Sequence, residues 1–232
     1  MHTSNGTIMI MRSVGLSIFL FSLLMIPARP ANAQAKYGTQ VSAEALFPSG
    51  SFGQYFNTGY GIGVGFSMAD GKTLSYHLRL GYGRLVLDNN ALNASSDFNR
   101  EQGRYDVGGA ITVYPILFGV TFFPDKEGSK PYGLLEFGLY MSSQKFDGGT
   151  YTSPGGSQSV FYGRTKFRAE PGFNAGMGVL LPLSPGKSLD LGVRYNFVKD
   201  SQYYNLAGTG ASSTYLGFSQ YFSLSVGLDF SY

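Results

Sequence analysis

From Thr58 to Met68 the chain alternates without a break, with Tyr60, Ile62, Val64, Phe66 and Met68 on one parity and Gly59, Gly61, Gly63, Gly65 and Ser67 on the other. Successive side chains on a β-strand point to opposite faces, so only an extended segment gathers this apolar set on one side. The next segment repeats the pattern, Leu74, Tyr76, Leu78, Leu80 and Tyr82 standing against Ser75, His77, Arg79, Gly81 and Gly83. Between them, Ala69-Asp70-Gly71-Lys72 carries the Asp-Gly pair that supplies the left-handed backbone of a tight hairpin. Period-two patterning of the same kind marks Gln40–Phe47, Gly109–Phe123, Pro131–Ser142, Lys166–Leu181, Leu189–Phe197 and Tyr215–Tyr232, which makes eight strands. In the fourth, both faces are apolar and Pro115 has no N–H for a ladder, so a bulge or an early strand end is expected there.

The connections alternate in length. Short ones fall at Ala69–Lys72, Pro124–Lys130 and Pro182–Ser188, long ones at Pro48–Asn57, Asp88–Tyr105, Gln144–Thr165 and Val198–Thr214. Membrane barrels have short periplasmic turns and longer extracellular loops, with an even strand number when both termini lie on the periplasmic side. The amino end fits export. Arg12 precedes an apolar run from Val14 to Ile26, followed by Pro27, Pro30 and the small-residue site Ala31-Asn32-Ala33. That order describes a secretory signal peptide over residues 1–33, cut before Gln34, with Met9 or Met11 as more ordinary starts. Residues 34–232 then form one domain, heavy in Gly, Tyr, Phe and Ser. Cysteine is absent, which excludes a disulfide framework and a thiolate metal site. Loss of Arg12 and Arg29 with the signal brings the formal charge of +3 close to neutrality, which argues against a nucleic-acid partner.

Parity alone also fits a soluble barrel, greasy inside and wet outside. The polar face decides between the two. It carries many Gly and Ser together with Glu44, His77, Arg79, Glu136, Arg168, Glu170, Asn174, Asp190, Arg194, Asn196 and Asp229. A solvated surface calls for many more Lys and Glu, whereas glycine suits a crowded interior. Turned inward, these charges come in both signs and can pair, as buried charges must. An eight-stranded barrel is just wide enough for side chains to fill, so a wide pore is not expected. The other face has aromatics at both ends: Phe66, Phe122, Phe123, Phe230 and Tyr232 near one, Phe47, Tyr60, Tyr82, Tyr195 and Phe197 near the other. Two aromatic girdles are a membrane signature. The expected fold is thus all-β, an eight-stranded antiparallel up-and-down transmembrane β-barrel in the outer membrane of a Gram-negative cell.

The stretches PSGSFGQYFNTGYGIGVGF from Pro48 to Phe66, KPYGLLEFGLY from Lys130 to Tyr140 and LSVGLDFSY from Leu224 to Tyr232 resemble the OmpA-like outer-membrane β-barrel family, small eight-stranded proteins also labelled a porin family. The resemblance spans the expected mature chain and implies residence in the outer membrane without implying conduction. The closing residues Leu228, Phe230 and Tyr232 resemble the carboxyl-terminal signal read by the barrel assembly machinery. Lipid and lipopolysaccharide are the expected surroundings, a surface ligand would reach the extracellular loops, and a monomer is expected.

Some barrels of this size are enzymes acting on lipid A or phospholipid, so catalysis has to be considered. A hydrolase needs a nucleophile with a base in reach. The expected mature chain has one histidine, His77, near Ser75 and Arg79 and with Glu136 and Glu170 as conceivable partners. Same-strand Ser and His do not define a triad, and His77 reads as a member of an interior polar network. A lone histidine with scattered carboxylates has no metal-ligand spacing, and the glycines of Gly59–Gly65 lie on a strand rather than before a helix. No catalytic, metal or cofactor site is expected. Arg100, Arg104 and Arg164 in the loops are candidates for lipopolysaccharide phosphates, although Asp97 and Glu101 nearby favour an ordinary solvated loop. Three function classes follow: a structural or surface-binding barrel, a narrow channel constricted by Arg79 and Arg194, and a lipid-modifying enzyme centred on His77.

Overall fold

The computed structural model describes residues 36–50, 52–70, 73–94, 103–124, 129–204 and 213–231. The expected signal peptide with Ala31, Ala33 and Gln34, the charged loop residues Asp97, Arg100 and Glu101, and the terminal Tyr232 lie outside them.

Eight antiparallel strands close into a barrel in sequence order: β1 (Lys36–Ser49), β2 (Gly59–Asp70), β3 (Leu74–Val86), β4 (Arg104–Phe122), β5 (Lys130–Thr152), β6 (Gln158–Ser184), β7 (Lys187–Tyr204) and β8 (Ser213–Ser231). Closure is made by β1 against β8, where Ala43 faces Val226 and Glu44 faces Ser225. The even positions of β2 that carry Ile62, Val64 and Phe66 point out and are exposed, while Gly61, Gly63 and Gly65 between them are buried. The parity read from the sequence therefore has its apolar face on the outside.

The short turns lie at one end of the barrel and the long hairpins at the other. At the short-turn end Gly186 takes φ 72° between β6 and β7, and its carbonyl accepts the Ser231 N–H at 2.9 Å. An L side chain rarely adopts that conformation, so glycine is required there.

Two sequence expectations need correction. The segments read as long loops are largely strand: β5 continues to Thr152 and β6 begins at Gln158, 23 and 27 residues long. Only Ser153 to Ser157 turns, with Ser153 N–H donating to Ser157 O at 2.9 Å and Gly156 at φ 82°. Likewise β7 runs to Tyr204 and β8 starts at Ser213. Of the other two long connections, Asp88–Tyr105 holds a short helix at Asn89–Ala94, and Pro48–Asn57 holds a 3-10 turn at Phe52–Gln54.

The second correction concerns Pro115, which neither ends β4 nor bulges it. The β3–β4 register is the same on both sides of the proline, Leu80 facing Ile116 and Gly83 facing Val113, with the ladder interrupted between those pairs. A missing donor removes a hydrogen bond, and here the neighbours keep step because Gly81 leaves space: a Cβ on it would lie 2.8 Å from Pro115 Cγ. The irregularity in β4 comes instead at Gly108/Gly109 against β5.

Candidate functional site

The lumen is the place where charged side chains converge. Alternation puts Ser42, Glu44 and Leu46 of β1, Ser75, His77 and Arg79 of β3, Tyr132, Glu136 and Tyr140 of β5, Asn174 of β6, Asp190, Arg194 and Asn196 of β7, and Ser223 and Ser225 of β8 inside. Glu136, 2% exposed, is the hub. One carboxylate oxygen takes a hydrogen bond from Arg79 Nη1 at 3.2 Å and another from Asn174 Nδ2 at 2.8 Å; the other oxygen stands 2.9 Å from His77 Nε2. Arg79 also donates through Nη2 to Glu44. Arg194 lies 3.8 Å from Glu44 and 4.0 Å from Glu136, and its Nη1 donates to Ser225 Oγ at 3.0 Å. Two cations and two carboxylates thus balance in one buried cluster, as a low-dielectric interior demands.

Glycine makes the cluster fit. A Cβ on Gly63 would lie 2.8 Å from Ser42 Oγ and 3.3 Å from Arg79 Nε, across the space through which Arg79 reaches Glu44. A Cβ on Gly119 would stand 2.8 Å from both Glu136 Cγ and His77 Nε2.

Toward the short-turn end, Asp190 accepts the Tyr132 hydroxyl at 2.7 Å and a hydrogen bond from Gln40 Nε2. Asp229, Gln40, His77, Thr121 and Asp190 border a cavity of about 70 Å³ there, space for a few water molecules. Toward the long-hairpin end the lumen becomes apolar: Leu46, Phe52, Phe56, Leu85, Ile111, Val113, Leu117, Tyr140, Val198 and Tyr221 form one buried cluster. Phe52 and Phe56 come from the first long connection, fold in over the barrel mouth and pack ring to ring at 4.7 Å between centroids. The sequence reading of a plug built from ion pairs describes only part of the interior. The apolar plug escapes that reading because its members alternate with outward residues that are equally apolar, most plainly in β4.

Other residues expected in the polar network sit elsewhere. Arg168 and Glu170 share the parity of Asn174 but lie beyond Gly172, where β6 has parted from β7; Glu170 borders a second cavity of about 20 Å³ with Tyr140, Gln144 and Tyr221. Tyr132, Tyr140 and Tyr221, which the sequence reading does not place inside, are buried contributors. Their parity with Glu136 and with Ser223 is the signal that marks them. Tyr140 donates its hydroxyl to Asn174, and Asn196 Nδ2 donates to Tyr221 O and Ser223 Oγ, both at 3.2 Å.

His77 has both ring nitrogens engaged, Nε2 with Glu136 and Nδ1 with Thr121 Oγ1 at 3.2 Å. Ser75, the serine considered as a nucleophile, is a partner of neither. Both nitrogens are thus tied into the cluster and, among the described residues, no group of three or more potential ligands is placed to hold a metal ion.

Outside the barrel the aromatics at the long-hairpin end form contacts from strand to strand: Tyr60 with Tyr82, Tyr82 with Tyr114, Phe173 with Phe197 and Tyr195 with Phe222, ring centroids 4.8 to 6.4 Å apart. At the other end Phe66 and Phe122 are exposed. Phe123 is a correction: one residue past Phe122 it takes the inward parity, packs against Tyr132 at 6.0 Å and borders the lumen cavity. Of the closing residues, Leu228 faces outward and Phe230 is half-buried.

No protein-family model matches this chain, and no curated protein sequence does. Among solved structures it is similar to Neisserial surface protein A, with a TM-score of 0.50 and 19% identity over 84% of this chain and 97% of that one. Ail, the attachment invasion locus protein of Yersinia pestis, gives a TM-score of 0.49 at 12% identity over 86% of this chain and all of that one. A major outer membrane protein of Thermus thermophilus gives 0.45 at 19% identity, over 84% and 99%. The likeness to the first is one of fold: a closed eight-stranded antiparallel barrel of outer-membrane type.

Proposed function

We propose that this chain is an integral protein of the Gram-negative outer membrane whose lumen is sealed and whose work is done at the long-hairpin end, in surface binding or in supporting the envelope. One observation carries the reading: the barrel is inside out by the standards of a soluble protein. Val41, Ile62, Val64, Leu78, Leu80, Ile116, Leu135, Phe137, Leu224, Val226 and Leu228 are exposed on the wall, while Arg79, Glu136, Asp190 and Arg194 are buried. An apolar band with aromatic girdles matches a bilayer and would be an aggregation hazard in water. In this orientation the short turns are periplasmic, the hairpins of β5–β6 and β7–β8 stand outside the cell, and lipid and lipopolysaccharide surround the wall. Export through a cleaved signal peptide and insertion by the barrel assembly machinery belong to the same proposal, with a monomer as the functional unit.

The narrow-channel reading is the weaker one, because the apolar cluster around Phe52, Leu85 and Tyr221 lies across the lumen above the charged layer. The enzyme reading is weaker still, given both nitrogens of His77 held by Glu136 and Thr121. The test is fractionation with heat modifiability. Expression of the full chain in a Gram-negative host should place it in outer membranes, with a boiling-dependent change in gel mobility; recovery as a soluble periplasmic protein would overturn the proposal. Planar-bilayer recordings should be silent under conditions in which a control porin conducts.

A further inference from the structure

The outer wall of the barrel carries a groove of about 520 Å³, running from Phe122 on β4 to Phe222 on β8. Pockets that bury a small molecule measure about 300–1,000 Å³. The floor of this one is two missing side chains. The ladder sets Gly133 of β5 against Met177 of β6, and Leu135 against Ala175, so the small residues lie on one diagonal and the large ones on the other. Phe122 flanks Gly133 from β4, and Tyr195 flanks Ala175 from β7. Phe122, Leu135 and Met177 stand up as exposed ridges. None of them leans over the gap, since a Cβ built on Gly133 meets nothing within 4 Å.

The groove climbs the wall. Phe122 closes β4 at the short-turn end, Gly133 lies just above the start of β5, and Ala175 and Tyr195 stand well up β6 and β7. Its upper end is stopped where Tyr195 packs on Phe222, ring centroids 4.8 Å apart. Four strand spacings of about 4.8 Å make it roughly 19 Å across. Its width chooses among apolar occupants. Phe122 and Met177 bracket Gly133 from two strands apart, roughly 10 Å between backbones before their side chains take their share. An α-helix with side chains is about 10–12 Å across and does not enter; nor does the broad wall of a second barrel. A single hydrocarbon chain does. Lipid tails are as apolar as leucine, so such a chain gains nothing from hydrophobicity on leaving the bulk bilayer. It gains contact: over Gly133 and Ala175 it touches protein below and on both flanks, and each added atomic contact contributes dispersion.

The foot of the groove selects the headgroup. Lys130 opens β5 and Lys187 opens β7, both exposed at the short-turn end. Asp190, on β7 above Lys187, is turned into the lumen, where it holds the Tyr132 hydroxyl. Basic side chains at the edge of an apolar band attract lipid phosphates.

We propose that this groove binds one acyl chain of an anionic phospholipid of the periplasmic leaflet, its phosphate beside Lys130 with Lys187 adding to the same cationic rim. This rests on the apolar wall meeting a bilayer with the short turns periplasmic, and it assigns one stretch of that wall to a particular lipid.

The experiment uses the full barrel in phosphatidylcholine vesicles doped with phosphatidylglycerol whose acyl chain carries a diazirine. Residues labelled on illumination are mapped by mass spectrometry. Labelling should concentrate at residues 133–135 and 175–177 and be competed by unlabelled phosphatidylglycerol. Gly133→Leu fills the hollow and should abolish labelling at 175–177, while the heat-modifiable folded band and the labelling of Val41 and Ile62 on the opposite wall stay unchanged. Lys130→Gln should lower the excess of this probe over a phosphatidylcholine probe about fivefold. Even labelling around the wall, unaltered by Gly133→Leu, would mean ordinary lipid contact and overturn the proposal. Equal labelling of the groove by the two probes would also overturn it. So would competition by lipopolysaccharide but not by phosphatidylglycerol, or a crosslink between two barrels through benzoyl-phenylalanine in place of Met177. Labelling of Val41 and Ile62 with an empty groove would refute this site alone, whereas no labelling on any face would refute the membrane reading itself.

Discussion

Replacing Glu136 with leucine removes one of two carboxylates from a buried cluster that holds two guanidinium groups. That carboxylate holds Arg79 at 3.2 Å, Asn174 Nδ2 at 2.8 Å, His77 Nε2 at 2.9 Å and Arg194 at 4.0 Å, and leucine can hold none of them. Glu44 remains, so one positive charge is left without a counterion inside the barrel. Breaking a buried pair by removing one partner costs about 3–5 kcal/mol, and each buried donor left without an acceptor costs about 1–3 kcal/mol. Glu136→Leu should therefore destabilise the barrel by at least about 4 kcal/mol. Adding Arg79→Met restores the balance, since Arg194 then faces Glu44 at 3.8 Å. The double variant should be less destabilised than the sum of the single variants by at least about 2 kcal/mol. The assay is urea unfolding in micelles with linear extrapolation, followed by circular dichroism and by the folded-band gel shift because the chain has no tryptophan to report. A loss under about 1 kcal/mol for Glu136→Leu, or additive losses in the double variant, would refute the view that charge balance holds the lumen together.

Leu135, 60% exposed on the middle of the outer wall, is a second probe: Leu135→Arg should cost about 2–4 kcal/mol in lipid vesicles, whereas a neutral result would mean that this face meets water. Gly119→Ala should lower the unfolding midpoint by an amount equivalent to about 1–3 kcal/mol, because its Cβ would press on Glu136 and His77. Gly133→Ala, with nothing within 4 Å of the added carbon, should leave the midpoint unchanged and serves as the control. A His77→Ala strain should keep its lipid A composition, read by mass spectrometry; a changed composition would revive the enzyme reading.

Parity makes most of the wall legible in the sequence, because a bilayer outside and a crowded lumen inside impose opposite chemistry on alternate residues. Where both sides are apolar the signal vanishes. Leu117, between Ile116 and Phe118, points inward with no polar contrast to mark it, and only its spacing from Gly109 gives it away. Strand ends are less legible still. The run from Gln144 to Thr165 is rich in Gly, Ser and Thr and reads as loop, but pairing across β4, β5 and β6 makes most of it strand, since strand formation depends on neighbours more than on composition. Phe123 departs from expectation for a simpler reason: it follows the last ladder pair by one residue, and parity carries it to the inner side. For the site, Glu44, His77, Arg79, Glu136 and Arg194 do converge, while Arg168 and Glu170 have the right parity but the wrong height along β6.

The charged cluster draws its members from five strands: Glu44 from β1, His77 and Arg79 from β3, Glu136 from β5, Asn174 from β6 and Arg194 from β7. None of the ion pairs within it joins neighbouring strands, and Arg79 reaches Glu44 across the glycine face of β2. No hairpin can therefore neutralise its own charges, and the Arg194–Glu44 contact spans the β7–β8–β1 closure. The cluster is complete only at closure, and only if every intervening strand is in register, because a slip of two residues moves a carboxylate by about 7 Å. It acts as a combination lock on assembly, one that rewards the finished cylinder in register over every slipped one.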